Sequence, residues 1–368
     1  MRQPDVLIIG GGVIGCAVAY FVRHLSSLRV LLVEQAIVGA GASNAAAGVL
    51  AVASSRAPRG VLFELRRRSA AMFPELVPAL YAETGIDCQY VQRGLLEVAF
   101  TAKEAEGLGD LVRRRCEQGF RPELLDTTAA QRLEPTISDQ IIAAARFGDD
   151  HSINNERFTA ALAAAAQRRG AELRQGAAVT AVEVGRNRVL RLRAGDEWFS
   201  PGVVIIAAGV GSREIGRLMQ VRIPVRAARG EMLALRPAGP LPQHTLAWGD
   251  GYLVPRPNGE LLVGSTTEYS DSAEVTGKGV ATLLRRALRM VPDLTDATVT
   301  RTWAGLRPCP EIRRPIIGPV RGFDNLLLAT GHHRNGILLA PITGLLMAEL
   351  LTERATSFPL QPFCYRRR

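Results

Sequence analysis

Val6-Leu7-Ile8-Ile9-Gly10-Gly11-Gly12-Val13-Ile14-Gly15 decides the fold. The apolar run reads as a strand, the glycines as a tight turn, and the pattern through His24 as a helix. A second apolar run, Val30-Leu31-Leu32-Val33, ends in Glu34. Strand, glycine turn, helix, strand and acid in this order make a complete βαβ dinucleotide fingerprint. Gly10 permits the turn, Gly12 lets a pyrophosphate approach the backbone, and Gly15 lets the helix pack closely on the strand. Unpaired N–H groups and the positive helix end at Val13 and Ile14 then face the phosphates. Glu34 is placed to accept hydrogen bonds from a ribose. A carboxylate there disfavours a 2′-phosphate, so FAD or NAD is expected rather than NADP.

At 368 residues the chain has the length for one large or two modest domains. Its 47% hydrophobic and 22% charged residues exclude a disordered chain. The five cysteines, Cys16, Cys88, Cys116, Cys309 and Cys364, lack CxxC spacing and are odd in number, which fits reduced thiols in the cytoplasm. No metal site is expected, since the adjacent His332-His333 pair seldom converges on one ion. The Met1-Arg2 start with its apolar sequel superficially resembles a signal peptide, but Asp5 and the phased glycines belong to the fingerprint. Ile337 to Leu351 contains Pro341 and Glu349 and is short for a membrane span, so it reads as a buried helix. The formal charge of +10 gathers at Arg66-Arg67-Arg68, Arg113-Arg114-Arg115, Arg313-Arg314 and Arg366-Arg367-Arg368. Without interleaved aromatics these clusters read as solvated faces and a charged tail, and nucleic acid is not the expected partner.

Beyond Glu34, Gly39 to Gly48 is rich in small residues, which suits close approach of backbone to a flat or phosphorylated ligand. A helix is expected over Leu62 to Thr84, kinked or broken near Pro74 and Pro78. Leu95 to Phe100 reads as a strand, Ala102 to Gln118 as a helix, and Val179 to Leu192 as part of a meander. Val203-Val204-Ile205-Ile206 is a strand buried on both faces. Short strands follow between Arg229 and Thr267, then a helix over Gly277 to Met290. Leu326 to Thr330 is a last strand, leading through a polar glycine loop into a helix from Gly336. Cofactor-domain pieces at both ends of the chain imply two interleaved domains.

Trp303-Ala304-Gly305-Leu306-Arg307-Pro308, Pro315-Ile316-Ile317-Gly318 and Gly331-His332-His333-Arg334-Asn335-Gly336-Ile337 closely resemble the glycine oxidase (ThiO-like) branch of the D-amino acid oxidase superfamily. Arg229-Gly230-Glu231-Met232, Tyr252-Leu253-Val254-Pro255-Arg256 and Gly264-Ser265-Thr266-Thr267-Glu268 follow the same pattern, so the resemblance spans the chain. It implies an α/β fold in which a Rossmann-type FAD-binding domain (1–84, 146–218 and 308–361) interleaves with a substrate domain. That second domain, an antiparallel β-sheet plus helices, takes 85–145 and 219–307, ahead of a basic tail at 362–368.

The resemblance also implies non-covalent FAD, held by Gly10, Gly12, Val13, Ile14, Gly15, Glu34, Ser43, Ala47, Gly48, Val179, Gly209 and Gly305. The loop of His333, Arg334, Asn335, Gly336 and Ile337 would lie against the flavin, its backbone N–H groups near the ring edge that becomes negative on reduction. Arg307 takes the role of carboxylate fork, Tyr252 that of second donor, and Arg334 lines the pocket with Ala51 and Thr267. Related sarcosine oxidases tether flavin through a cysteine, whose place here falls near Gly305 and not at Cys309. The sequence departs from the pattern at Ala51 (glycine), Thr267 (methionine), Val210-Gly211-Ser212 (Ala-Trp-Ser) and Ile312-Arg313 (Asp-Gly). Ala51 would shrink the pocket toward glycine, and Arg313 could recruit an acidic group.

The expected activity is oxidative deamination of glycine or a similar small amine, with O2 as acceptor, feeding thiamin thiazole synthesis. A dehydrogenase subunit passing electrons to a quinone or partner protein is the first alternative. An FAD enzyme acting on a nucleic-acid-bound amine is the second. A homo-oligomer is expected by analogy alone.

Overall fold

The run Val6-Leu7-Ile8-Ile9 has no polar face because both of its faces are covered. In the computed structural model, which describes residues 3–57 and 59–365, this strand lies inside a six-stranded sheet. The order is Ile316–Pro319, Leu326–Thr330, Val203–Ile206, Val6–Ile9, Val30–Val33, Glu172–Arg174, all parallel except the first pair. Val6 and Ile8 pack with the helices Val13–Leu25, Val61–Thr84, Asn155–Arg168 and Gly336–Leu351. Leu7 and Ile9 point the other way, onto the meander Val179–Val184, Val189–Ala194, Glu197–Phe199. The two-residue side-chain period of a strand makes this division.

Val61–Thr84 runs unbroken through Pro74 and Pro78, so of the expected kink or break the break does not occur. Phe63, Leu65, Phe73, Leu76, Val77 and Leu80 form its buried stripe. At roughly 1.5–3 kcal/mol each, those side chains outweigh about 3 kcal/mol per proline. Taken from His333, the last helix is 19 residues at mean hydropathy 1.3, long and apolar enough to cross a bilayer. Most of it is instead buried against Val13–Leu25, so closely that a Cβ on Gly344 would stand 2.6 Å from the Ala17 oxygen. The Arg366-Arg367-Arg368 tail lies outside the described residues.

The second sheet runs Glu268–Tyr269, Val225–Arg236, Leu261–Gly264, Gly251–Pro255, Thr245–Trp248, Leu95–Ala99, Ala143–Phe147, Glu123–Leu125, and Thr298–Pro310 also pairs with Val225–Arg236. Only Thr245–Trp248 with Leu95–Ala99 is parallel among its described pairs. The sheet runs past the divisions expected at 145 and 307, because pairing of Leu95 with Phe147 and Val225 with Pro310 carries both strands on. Leu283, Ala287 and Met290 of the helix Gly277–Met290 cover Leu233, Leu235, Leu253 and Val263 on one face. The alternate residues Met232, Ala234, Val254 and Leu262, with Tyr252 and Trp303 beside them, turn to Ala47 of the small-residue loop. The candidate site lies on this inner face.

Candidate active site

The fingerprint helix starts at Gly12 with no side-chain cap, and Ser43 Oγ reaches over it to accept from Val13 N at 2.9 Å. Glu34 accepts from the N–H groups of Gly11 (2.7 Å) and Ala36 (2.9 Å), closing the turn after Gly10. Gly48 has φ 68°, and a Cβ there would stand 1.8 Å from the Ile153 oxygen. Two side chains that sequence reasoning did not single out brace this loop. Asn155 donates to the carbonyls of Ser43 (2.7 Å) and Asn44 (3.1 Å). Buried Arg256 donates to Ala47 O at 2.9 Å and Ile153 O at 3.0 Å, and burial pushes its pKa down to about 10. Val179 opens the meander beside the sheet, and Gly209 follows the strand Val203–Ile206. A second helix N-terminus without a side-chain cap opens at Asn335-Gly336. The glycine turn that opens the helix Val13–Leu25 fits the dinucleotide cofactor of the fingerprint.

The substrate side is built by cross-strand register. Gly264 stands opposite both Met232 and Tyr252, and a Cβ on it would come within 2.3 Å of Met232 Sδ and 2.6 Å of Tyr252 Cε2. Gly230 stands opposite Gly305. Its missing side chain leaves room for Arg307, whose Nη1 lies 2.0 Å from where that Cβ would be. Gly305 lies against Ala45, where a Cβ would stand 2.4 Å from the alanine methyl. Arg307, lying over Gly230, and Tyr252, lying over Gly264, are thereby brought beside one another. Tyr252 OH donates to Met232 Sδ at 3.5 Å, and Arg307 Nη1 donates to Thr266 O at 3.1 Å. Thr266 is held by Glu231, which accepts from its hydroxyl at 2.8 Å. Burial lowers the pKa of Arg307, with Tyr252 opposing and Arg334 reinforcing. Among the described residues no carboxylate pairs with Arg307. A largely desolvated fork without an anion is a ready carboxylate site. Thr267 itself is exposed, one residue out of phase with the Thr266 carbonyl that meets Arg307. Cys309 lies farther along the same strand, opposite Arg226.

At the other wall, His333 adopts φ 50°. Burial, then Arg307 and Arg334, push its pKa down to about 4, and burial alone takes His332 to about 3. Both rings are therefore neutral at physiological pH, and His332 Nε2 lies 3.0 Å from Thr343 Oγ1. Exposed Arg334 donates to Asp250, Nη1 to Oδ1 3.4 Å, on the hairpin that leads into Tyr252. Among the described residues no group of three or more His, Cys, Asp or Glu is gathered for a metal.

The segment from Ala51 to Ala57 is held by buried charges contributed from elsewhere. Asp150 accepts from the N–H groups of Val52 (2.7 Å), Ala53 (2.8 Å) and Ser54 (2.8 Å). Arg66 donates to Ala51 O at 2.6 Å and Ser55 Oγ at 2.8 Å. Arg115 donates to the carbonyls of Ala53 (2.8 Å), Ser55 and Ala57 (3.2 Å). Arg56 pairs with buried Glu97, whose carboxyl burial pushes up from 4.5 to about 7 against the pull of Arg56. Between those values the folded chain keeps a proton that the unfolded chain releases, so this group's contribution to stability falls as pH rises. About 2 kcal/mol of that loss falls between pH 5.5 and 8. Glu97→Gln is expected to flatten the dependence. Melting temperatures at the two pH values should lie a few degrees closer together than in the wild type, and an unchanged gap would refute the assignment.

Comparison with known proteins identifies the family. Residues 5–350 match the family model described as "DAO: FAD dependent oxidoreductase". The chain is 35% identical to a glycine oxidase of Geobacillus kaustophilus, over 100% of its own length and 97% of that protein. It is 32% identical to a bifunctional ThiO/ThiG protein of Synechocystis, of which it covers 54% while using 99% of its own length. A crystal structure of glycine oxidase from Geobacillus kaustophilus superposes with a TM-score of 0.94 at 33% identity, covering 100% of both chains.

Proposed function

The chain belongs to the FAD dependent oxidoreductase (DAO) family, and from that premise we propose that its substrate is glycine or a similarly small amino acid. It is an FAD-dependent amine or amino acid oxidase. The observation that carries the substrate reading is Arg307, a largely desolvated guanidinium without a carboxylate partner among the described residues, lying beside Tyr252. FAD, held at the glycine turn Gly10 to Gly15, would supply the redox chemistry, a two-electron oxidation of the substrate Cα–N with O2 as the final acceptor. Arg307 grips the substrate carboxylate through its planar fork, and Tyr252 OH turns from Met232 to donate to the same group. Two fixed points on one carboxylate orient the Cα–H, and in this chemistry orientation carries most of the rate. The neutral rings of His332 and His333 add no charge near the amine. The imine product hydrolyses in water to the 2-oxo acid and ammonia. Similarity to a ThiO/ThiG protein supports a supply role in thiamin thiazole formation, in the cytoplasm.

The test is anaerobic mixing of the yellow protein with glycine, sarcosine, D-alanine, D-proline and hydroxyproline, followed by air. Bleaching by glycine or sarcosine, then full recolouring with peroxide, is the expected result. Bleaching without reoxidation by air would favour a dehydrogenase that delivers electrons to another acceptor. No bleaching by any of the five would overturn the substrate assignment.

A further inference from the structure

We propose that Thr266 is a positioning residue that aims Arg307 at the substrate, because a one-residue bulge turns its carbonyl over to the guanidinium. The inference rests on reading Arg307 as the holder of the substrate carboxylate. The strand Val225–Arg236 pairs Met232 with Gly264 and Arg229 with Glu268. Between those pairs Gly230 and Glu231 stand on one side and Ser265, Thr266 and Thr267 on the other, so the partner carries one extra residue. Such a bulge disrupts the ladder locally and re-aims the groups that lie on it. Thr266 N donates to Glu231 O at 3.3 Å, which is half of an ordinary antiparallel pair. The other half is replaced: Glu231 N donates at 2.9 Å to the Thr266 hydroxyl instead of to its carbonyl. The carbonyl so released accepts from Arg307 Nη1 at 3.1 Å.

The exchange depends on where the hydroxyl proton goes. A threonine hydroxyl has one proton to give and lone pairs to receive. Glu231 Oε2 takes that proton at 2.8 Å, which leaves the lone pairs for the Glu231 N–H. Buried Glu231 is itself fixed by Thr276, whose N–H and hydroxyl donate to Oε1 at 2.6 Å and 2.8 Å. Burial raises its carboxyl, but the donors from Thr276 and Thr266 outweigh that and hold the group below the usual carboxylate range. It therefore remains an acceptor at neutral pH. The fit is close, since a Cβ on Gly279 would stand 1.9 Å from Oε2. Described contacts thus run from the start of the helix Gly277–Met290 through Glu231 and Thr266 to Arg307. The Thr266 carbonyl takes one N–H of the planar fork and fixes its plane, leaving the remaining donors for a carboxylate. Without the hydroxyl, the Glu231 N–H lacks an acceptor, and the carbonyl at 266 would turn back to complete the pair.

The experiment compares FAD-loaded wild type, Thr266→Val and Thr266→Ser. Valine keeps the β-branched shape and loses the hydroxyl, whereas serine keeps the hydroxyl. Acetate binding is followed by the change in flavin absorbance, and KM and kcat are measured for glycine. Crystal structures of the two variants locate the Arg307 guanidinium without reference to any substrate. In Thr266→Val the guanidinium should leave the carbonyl at 266, with the acetate Kd and the glycine KM rising about tenfold or more and kcat falling less. Thr266→Ser should keep both within about threefold of wild type. A guanidinium still seated on that carbonyl in Thr266→Val, or Thr266→Ser as impaired as Thr266→Val, would overturn the proposal, whatever happens to the melting temperature. A displaced guanidinium with unchanged Kd and KM would instead overturn the reading of Arg307 as carboxylate holder, which keeps the two failures apart. Should Thr266→Val not fold, Thr266→Ala removes the same hydroxyl and is read in the same way.

Discussion

Replacing Arg307 by leucine is expected to lower kcat/KM for glycine by about 10³-fold while leaving FAD bound and the fold intact. The side chain gives one N–H to Thr266 O and meets no carboxylate among the described residues, so truncation strands no buried anion. What goes is the charge-assisted fork to the substrate, and with it the orientation of the Cα–H. Gly230→Ala tests the geometry without touching the arginine. Its methyl would land 2.0 Å from Nη1 and 2.2 Å from Cζ, and the far end of a long side chain can swing aside more cheaply than backbone. That variant should fold, stay yellow, and raise KM by about tenfold or more with a smaller loss in kcat. Steady-state kinetics and the flavin spectrum of the two proteins check both statements. Unchanged KM in Gly230→Ala would mean that the guanidinium does not hold the carboxylate from where it lies over the glycine.

The contrast between these residues shows what the sequence made legible. The βαβ unit could be read because its signals are local: the strand period, the glycines and the terminal acid lie within one short stretch. Arg307 and Tyr252 were reached by resemblance, but the glycines that seat them were not, because that packing arises from register. Gly230, Gly264 and Gly305 matter only when their strands pair in the observed alignment, and nothing along the chain states that alignment. Thr267 is exposed, and the carbonyl of its neighbour Thr266 meets Arg307. The clamp formed by Asp150, Arg66 and Arg115 was less visible still. Its partners are backbone groups of a loop, which leave no side-chain pattern to read. Arg66 and Arg115 were noticed only as members of arginine runs, where a solvated face was expected. Instead each is buried, at 7% and 2% exposure, a correction of that reading for these two positions. A polar residue inside the apolar stripe of Val61–Thr84 was the available signal, since Ser69 shares the same buried face and donates to Leu338 O at 2.6 Å.

Gly15→Ala carries the other large effect, on the cofactor rather than the substrate. A Cβ at this position would stand 1.9 Å from the carbonyl oxygen of Gly10 and 3.4 Å from Ile8 Cγ2, and the first of these atoms is backbone in the turn itself. No side chain can rotate away to relieve that contact. The helix Val13–Leu25 must lift from the strand Val6–Ile9, yet it is also held on its far side by Gly336–Leu351 at the close Gly344–Ala17 crossing. Either the glycine turn of the dinucleotide fingerprint deforms, or the core opens. Both routes cost several kcal/mol. The expected result is a protein purified colourless or largely insoluble, with FAD affinity down by about 10³-fold if it folds. Gly107→Ala, inside the helix Ala102–Glu117 with no atom within 4 Å of the added methyl, is the matched control and should be as yellow as the wild type and stabler by up to about 1 kcal/mol. The measurement is the ratio of visible to 280 nm absorbance after purification, followed by FAD titration of the apoprotein. A fully yellow Gly15→Ala protein would contradict the close packing from which the fingerprint reading begins.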